Sequence, residues 1–479
     1  HRDVALKGFV DRYEGMFVLI SYIILIFLGY NSLNDEKSVK AIIVALGCSA
    51  MVMSLLGITQ VTGNDFFMTD FGKKLILPGA HEYISENMSF TFADSKTIYA
   101  TLYNTNYVGV YMSLVFSLFA TLSLLFKNWK YKIFFMIVSI SSLITILGSN
   151  SRAGMLSVAV YVLLIAFFLR KYIIHNLKRV LVIVVGVALI FVSVDIYRDG
   201  SISSRIISGI KSITNVQHLD FKDIVLNDNT AEIVFEDYSF TISNNEGDIT
   251  LFDENKDVLE VNIDGPNFSP VESPYNSHSF QIQVLEQKPV ILANIETSRG
   301  TKPIKFVVDD DNSMKVLGYN NEFVTDIKAP YIGFEGRESM ASNRGYIWSR
   351  TIPMLKDTIL IGNGPDTYAL HFPNNDFVGK IKGLNVNTLV DKPHNIYLQV
   401  ATNTGFLSLI MLLLIVGLYI VSSFKTYFNK VNYNGFLDVA GLGILLAVIM
   451  YLFTGLTNDS IVGVSPIFWT LMGIGFMIN

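Results

Sequence analysis

Residues 404–424 read TGFLSLIMLLLIVGLYIVSSF, without one charged side chain. A helix rises 1.5 Å per residue, so about 20 such residues cross a hydrocarbon core about 30 Å thick. Further runs of this kind lie at about 16–30, 38–58, 106–126, 132–148, 154–170, 180–196, 436–455 and 460–478. The bulk figures agree: 51% of the 479 residues are hydrophobic, 16% are charged, and the mean hydropathy is +0.43. A soluble domain carries roughly 25% charged residues. The fold expected is an all-α polytopic membrane protein of about nine transmembrane helices.

Orientation follows from basic residues in the short connections. Lys37, Lys40, Lys127, Lys130, Lys132, Arg170, Lys171, Lys178, Arg179, Lys425 and Lys430 fall in alternate connections, while 149–152 holds only Arg152 and 456–459 holds none. The rule places the first set in the cytoplasm and the segments 59–104, 149–152 and 197–404 outside, in a multi-pass protein of a plasma membrane. It also places the basic start (Arg2, Lys7, Arg12) outside, which an odd number of preceding spans absent from this sequence would explain. No signal peptide is visible at the start.

The long outer stretch is not uniform. Over 215–330, alternating runs at 231–242, 248–261, 280–295 and 304–308 are separated by Asn, Asp, Gly and Pro, the pattern of short strands. This segment has 21 acidic against 8 basic residues, whereas the remainder of the chain is mildly basic. The organisation expected is spans one to six over 1–214 with the outer loop 59–104, an extracytoplasmic acidic β-domain at 215–330, an outer segment at 331–403 with an amphipathic helix, and three spans over 404–479. The β-domain reads as a solvated spacer or lid, or as a glycan-recognition module. From Ser342, apolar residues fall at helical spacing behind Ser342 and Asn343, good N-cap residues, and Pro353 lacks the N–H that a helix interior needs.

The single cysteine, Cys48, stands inside an apolar run, so the chain forms no internal disulfide, and the residue reads as a small apolar filler. There is no phosphate-binding Gly-Lys-Ser/Thr loop, no Gly-x-Ser-x-Gly elbow and no clustered set of metal ligands. The spans lack mid-membrane charge apart from Asp195 near an end, which argues against proton-coupled transport. The positive balance of the membrane body is too weak to suggest nucleic acid.

Three residues stand out. Arg152 occupies the tight outer turn Gly148-Ser149-Asn150-Ser151-Arg152-Ala153-Gly154. A guanidinium there either meets lipid headgroups or grips phosphate oxygens bidentately. Arg344, in Ser342-Asn343-Arg344-Gly345-Tyr346-Ile347-Trp348, sits in the first turn of a helix, where a cation opposes the dipole unless an anion joins it; the alternative is pairing with Glu335 or Glu338. His394 follows Pro393 at the outer start of a span, where an imidazole is either a general base working near neutral pH or an inert surface side chain.

These stretches carry a resemblance. The chain resembles the O-antigen ligase and O-antigen (polysaccharide) polymerase superfamily of bacterial envelope proteins through 148–154, through 343–348 continuing into Leu360-Ile361-Gly362-Asn363-Gly364-Pro365-Asp366-Thr367-Tyr368, and through Pro393-His394-Asn395-Ile396-Tyr397-Leu398-Gln399-Val400 with Asn403-Thr404-Gly405. Leu102-Tyr103-Asn104-Thr105-Asn106-Tyr107-Val108-Gly109 is a fourth, looser element. The resemblance implies a membrane glycosyltransferase that uses undecaprenyl-diphosphate-linked glycan at the outer face of the bacterial plasma membrane, without metal or other cofactor, in lipopolysaccharide or capsule biosynthesis. It implies that Arg152 and Arg344 hold the donor diphosphate and that His394 takes a proton from, or orients, the acceptor hydroxyl. Asn343, Asn395 and Tyr397 would support them. The partners implied are the lipid-linked donor, an acceptor glycan, lipid or wall polymer, and the bilayer. The β-insertion departs from the family pattern and leaves the acceptor open. A non-catalytic polysaccharide-binding or export component, with the β-domain as receptor, is the alternative from another class.

Overall fold

A computed structural model describes residues 1–33, 35–76, 96–175, 177–214, 219–245, 248–285, 288–309, 313–318, 322–428 and 430–479. Residues 77–95 of the outer loop expected at 59–104, and the first four residues of the insertion expected at 215–330, lie outside this set. The chain divides into two compact units. One comprises His1–Gly209, Thr358–Thr367 and His394–Asn479; the other comprises Ile210–Asp357 and Tyr368–Pro393.

The first unit is helical. Its main elements are α1 (Met16–Asn31), α2 (Glu36–Val61), α3 (Thr105–Leu125), α4 (Trp129–Gly148), α5 (Arg152–Phe168), α6 (Leu177–Tyr197) and the start of α7 (Ser201–Thr214). After the second unit come α10 (Ile396–Asn403), α11 (Phe406–Tyr427), α12 (Phe436–Thr454) and α13 (Ser465–Ile478). Five helices, α2, α3, α4, α11 and α12, are long and apolar enough to cross a membrane. Shorter apolar helices fall at Met16–Asn31, Arg152–Phe168, Val184–Tyr197 and Ser465–Ile478, where the sequence places the other four spans.

Within this unit α3 and α12 are central: 78% of each apolar window is buried, against 17% for α11. Their buried faces form one core with Leu114, Leu118, Leu442 and Leu446. Large apolar side chains on the outer helices are exposed, among them Phe17, Phe27, Leu163, Leu413 and Leu418. In water such a surface would be an aggregation site, whereas hydrocarbon covers it at no cost. This is the surface of a multi-pass membrane protein. Cys48 is on the exposed side of α2 rather than packed inside, so its filler role is at the helix surface.

The second unit contains the strands. β1 (Phe221–Asn227), β2 (Thr230–Phe235), β3 (Ser239–Asn245) and β4 (Asp248–Phe252) form an antiparallel sheet in sequential order. A second, seven-stranded antiparallel sheet runs from β5 (Val261–Asp264) through β6 (Asn267–Pro270), β7 (Ser279–Leu285), β8 (Lys288–Ile295), β9 (Lys302–Val308) and β10 (Met314–Leu317) to β11 (Phe323–Val324). Alternation decides which side chains enter the core: Ala231, Ile233 and Phe235 of β2 are buried, with Phe240 and Ile242 of β3 opposite. The expected runs at 231–242, 280–295 and 304–308 therefore supply strands, whereas the run at 248–261 is strand at Asp248–Phe252 and then leaves the sheet in a turn. Strands β1, β5, β6, β10 and β11 were not distinguished in sequence, since several are only two to four residues long.

Helices α8 (Met340–Met354) and α9 (Phe377–Gly383) also belong to this unit. Phe377, Val378 and Ile381 of α9 join the core of the sheets. The expected N-cap role of Ser342 and Asn343 is overturned. Ala341, Ser342 and Asn343 all have left-handed φ, at 52°, 62° and 67°, and the regular helix starts after them. An N-cap needs extended backbone there, which these residues lack.

Candidate functional site

His394 lies at a bend just before α10, with φ of 49°. The next residue, Asn395, caps α10: its Oδ1 accepts from the Tyr397 and Leu398 N–H groups, both at 3.0 Å. Its Nδ2 donates to the Leu456 carbonyl at 2.9 Å. The Tyr397 hydroxyl donates to the Leu452 carbonyl at 2.9 Å, and the Ile396 N–H donates to Gly455. Asn395 and Tyr397 thus tie the start of α10 to the end of α12. That contact brings the loop after α12 beside His394. His394 Nδ1 is 2.7 Å from Asp459 Oδ2, and the carboxylate is fully buried whereas the imidazole is one-third exposed.

A buried carboxylate accepts the Nδ1 proton and leaves Nε2 as the basic nitrogen. It also stabilises the imidazolium formed when Nε2 takes a proton. The lack of basic residues in the 456–459 connection sets its orientation and does not single out Asp459. An acid in a connection this short between two apolar runs was the available signal.

Arg152 opens α5 after a turn that is densely hydrogen-bonded. Asn150 takes a left-handed φ of 56°, and Ser151 Oγ caps the helix by accepting from the Gly154 N–H at 3.2 Å. Arg198 Nη1, from just beyond α6, donates to the Gly148 carbonyl at 2.7 Å and to Asn150 Oδ1 at 3.2 Å. Arg152 Nη2 donates to Ser208 Oγ of α7 at 2.9 Å. The exposed Arg205, also on α7, is close enough to repel the Arg152 guanidinium. Asp195 holds the start of α7 by accepting from the Ile202 and Ser203 N–H groups. Neither Arg198 nor Arg205 was singled out in the sequence. Ile202, Ile206 and Ile210 at helical spacing were the signal for α7.

The looser element at 102–109 has a packing role in this arrangement. A β-carbon on Gly109 of α3 would fall 2.2 Å from Ser151 Oγ. Glycine there lets the turn that carries Arg152 sit against α3.

Arg344 belongs to the second unit. Its Nη1 donates to the Ala341 carbonyl at 2.7 Å, within the left-handed run that ends at Asn343. A β-carbon on Gly345 would fall 2.1 Å from the Arg337 carbonyl oxygen, so only glycine fits between Arg344 and Tyr346. The helix is anchored by a buried ion pair, Arg350 Nε to Asp376 Oδ2 at 2.8 Å. The Arg350 guanidinium lies over the rings of Tyr331 and Tyr346, 4.8 Å from each centroid. Asp376 caps α9 through the Gly379 N–H. On α9, burial pushes the Lys380 ammonium down to about 8, Asp376 opposing the shift. The Trp348 indole N–H donates to the Pro393 carbonyl at 2.9 Å, so α8 grips the residue that precedes His394.

Arg152 and His394 are therefore on the helical unit and Arg344 on the other. Among the described residues, no group of three or more His, Cys, Asp or Glu side chains is arranged to hold a metal ion.

Residues 290–413 match the family model described as O-antigen ligase. The match begins in β8, takes in Arg344, the Arg350–Asp376 pair and His394, and ends in the first turns of α11. No curated protein and no solved structure matches the chain. The match supports the O-antigen ligase superfamily that the motifs resemble. For a chain of this fold, that match suggests a membrane enzyme of cell-surface polysaccharide biosynthesis.

Proposed function

We propose that the protein transfers glycan from an undecaprenyl-diphosphate-linked donor to an acceptor hydroxyl at the outer face of the bacterial plasma membrane. The observation that carries this reading is the His394–Asp459 pair. Asp459 orients the imidazole, and His394 Nε2 takes the proton of the acceptor hydroxyl as it attacks the anomeric carbon. The glycosyl–oxygen bond to the diphosphate then breaks, and the lipid diphosphate leaves as the anion.

Arg152 and Arg344 hold that diphosphate and stabilise the charge growing on it. Arg205 adds a second cation beside Arg152, and their mutual repulsion is relieved when an anion binds between them. Asn343 shapes the backbone before Arg344, while Asn395 and Tyr397 hold His394 in place. The large β-domain lies outside the cytoplasm with this chemistry, where it is free to meet the acceptor.

The test is His394→Ala in a host whose own copy is deleted. General-base help is worth about 10²–10⁴ in rate, so surface polymer should fall by about 10²-fold or more at unchanged membrane level. Full polymer output from this variant would overturn the reading and favour a non-catalytic binding or export component.

A further inference from the structure

Glu14, just before α1, is 3% exposed and belongs to none of the motifs assigned to the reaction. Both of its carboxylate oxygens are engaged. Oε1 accepts from the Tyr22 hydroxyl at 2.9 Å and from the Ser460 hydroxyl. Oε2 accepts from Gln399 Nε2 at 2.9 Å. The Gln399 amide can point only one way, because its Oε1 accepts the Ser460 N–H at 2.8 Å. Ser460 in turn meets Ser465 Oγ at 2.7 Å, and Ser465 meets the Tyr451 hydroxyl at 2.8 Å.

The two residues that Glu14 joins are placed tellingly. Ser460 follows Asp459 in the chain, and Gln399 lies on α10, which His394 leads into. Glu14 itself is held by the 362–366 motif: Asp366 Oδ2 accepts from the Phe9 N–H at 2.7 Å and from the Glu14 N–H at 3.1 Å. The motif runs along the end of α10, with the Asn363 and Gly364 N–H groups donating to the Thr402 and Asn403 carbonyls. One buried carboxylate therefore brackets the loop bearing Asp459 to the helix that His394 leads into, and a second carboxylate presents the first.

We propose that Glu14 is a positioning residue for the His394–Asp459 pair, setting the imidazole–carboxylate geometry through Ser460 and Gln399. This rests on His394 being the general base. A carboxylate is needed because three donors converge on it; an amide at position 14 would set one NH₂ group against that of Gln399 or leave another donor unpaired.

The arrangement has a built-in rescue. In the double variant Glu14→Gln/Gln399→Glu the carboxylate moves to position 399. There it accepts the Ser460 N–H on one oxygen and the position-14 amide on the other. The amide oxygen at position 14 still accepts from Tyr22 and Ser460, so every hydrogen bond is retained with the charge relocated.

The experiment uses full-length protein in proteoliposomes, supplied with the lipid-linked oligosaccharide fraction extracted from the deletion host, and reads release of undecaprenyl diphosphate. A misplacement of about 1 Å costs about 10²-fold in turnover. Glu14→Gln should therefore lower kcat by up to about that factor, with donor KM unchanged. The Glu14→Gln/Gln399→Glu variant should recover most of it, and adding Glu14→Gln to His394→Ala should cost nothing further. If Glu14→Gln does not reach the membrane, Ser460→Ala, which removes one link of the bracket, should show the same fall in kcat alone.

Full turnover in Glu14→Gln, a loss confined to KM, or a well-inserted swap variant that stays inactive would each overturn the positioning role. Activity of His394→Ala would instead overturn the proposed function, so the two failures are separable.

Discussion

Asp459 Oδ2 stands 2.7 Å from His394 Nδ1 although 65 positions separate them in the chain. Three hydrogen bonds between the start of α10 and the end of α12, from Asn395, Ile396 and Tyr397, bring them together. The pair gives a surface-facing imidazole a fixed tautomer and a partner for its charged form, which a solitary histidine would lack.

Asp459→Asn keeps the shape of the pair and removes the anion. The imidazole can then present its proton on either nitrogen, and the imidazolium loses its counter-charge. Glycan transfer should drop by at least about 10²-fold, with the protein still inserted and donor binding retained. Single-turnover release of lipid diphosphate measures it, and activity within twofold of the parent would remove Asp459 from the mechanism.

Arg152→Lys keeps the charge and loses the planar fork. If the diphosphate is held bidentately, this variant should resemble Arg152→Ala, with donor KM raised in both. Arg205→Ala should weaken donor affinity less, since that side chain is exposed. Donor titrations in proteoliposomes read all three, and a fully active Arg152→Lys would point to headgroup contact alone.

Gly109→Ala puts a methyl group 2.2 Å from Ser151 Oγ, so the turn carrying Arg152 must shift. Gly417→Ala, at a helix position with open space around it, is the matched control. The first should lower activity severalfold or more and the second should not, as followed by polymer length on gels.

His278 gives the β-domain a pH dependence. Its Nδ1 accepts from the Glu296 N–H and its Nε2 meets the Tyr238 hydroxyl at 2.9 Å. Burial pushes the imidazole down to about 4, although Glu296 and Asp220 pull the other way. The unfolded residue titrates near 6.5. Stability is therefore full above pH about 6.5, is lost as pH falls towards 4, and changes by about 3 kcal/mol over that window. Protection factors for hydrogen exchange of β3 and β7, referred to the intrinsic rate at each pH, should fall in the solubilised full-length protein between pH 7.5 and 5, and His278→Gln should flatten the response.

Arg350 and Asp376 form a buried ion pair beneath α8. Removing one partner leaves an uncompensated charge at a cost of about 3–5 kcal/mol. Arg350→Ala should consequently lower the thermal midpoint of the detergent-solubilised protein and loosen the helix that carries Arg344. An unchanged midpoint would mean that the sheets alone hold α8.

Amino-acid order by itself determined the membrane class, since a run such as 404–424 can satisfy its backbone in hydrocarbon only as a helix. It also determined the β-character of 231–308, because alternation with period two has one outcome when one face is buried. The motif residues Arg152, Arg344 and His394 were legible from their unusual places in turns and helix starts. Tertiary structure alone decided what surrounds them. The backbone at Ala341–Asn343 turned left-handed where its residue types suggested a cap. Asp459 met His394, Arg205 came beside Arg152, and Glu14 reached across to Gln399 and Ser460. Periodicity reports which face of an element is buried. It carries no information on which distant polar side chain will stand opposite, because that depends on how separate helices pack.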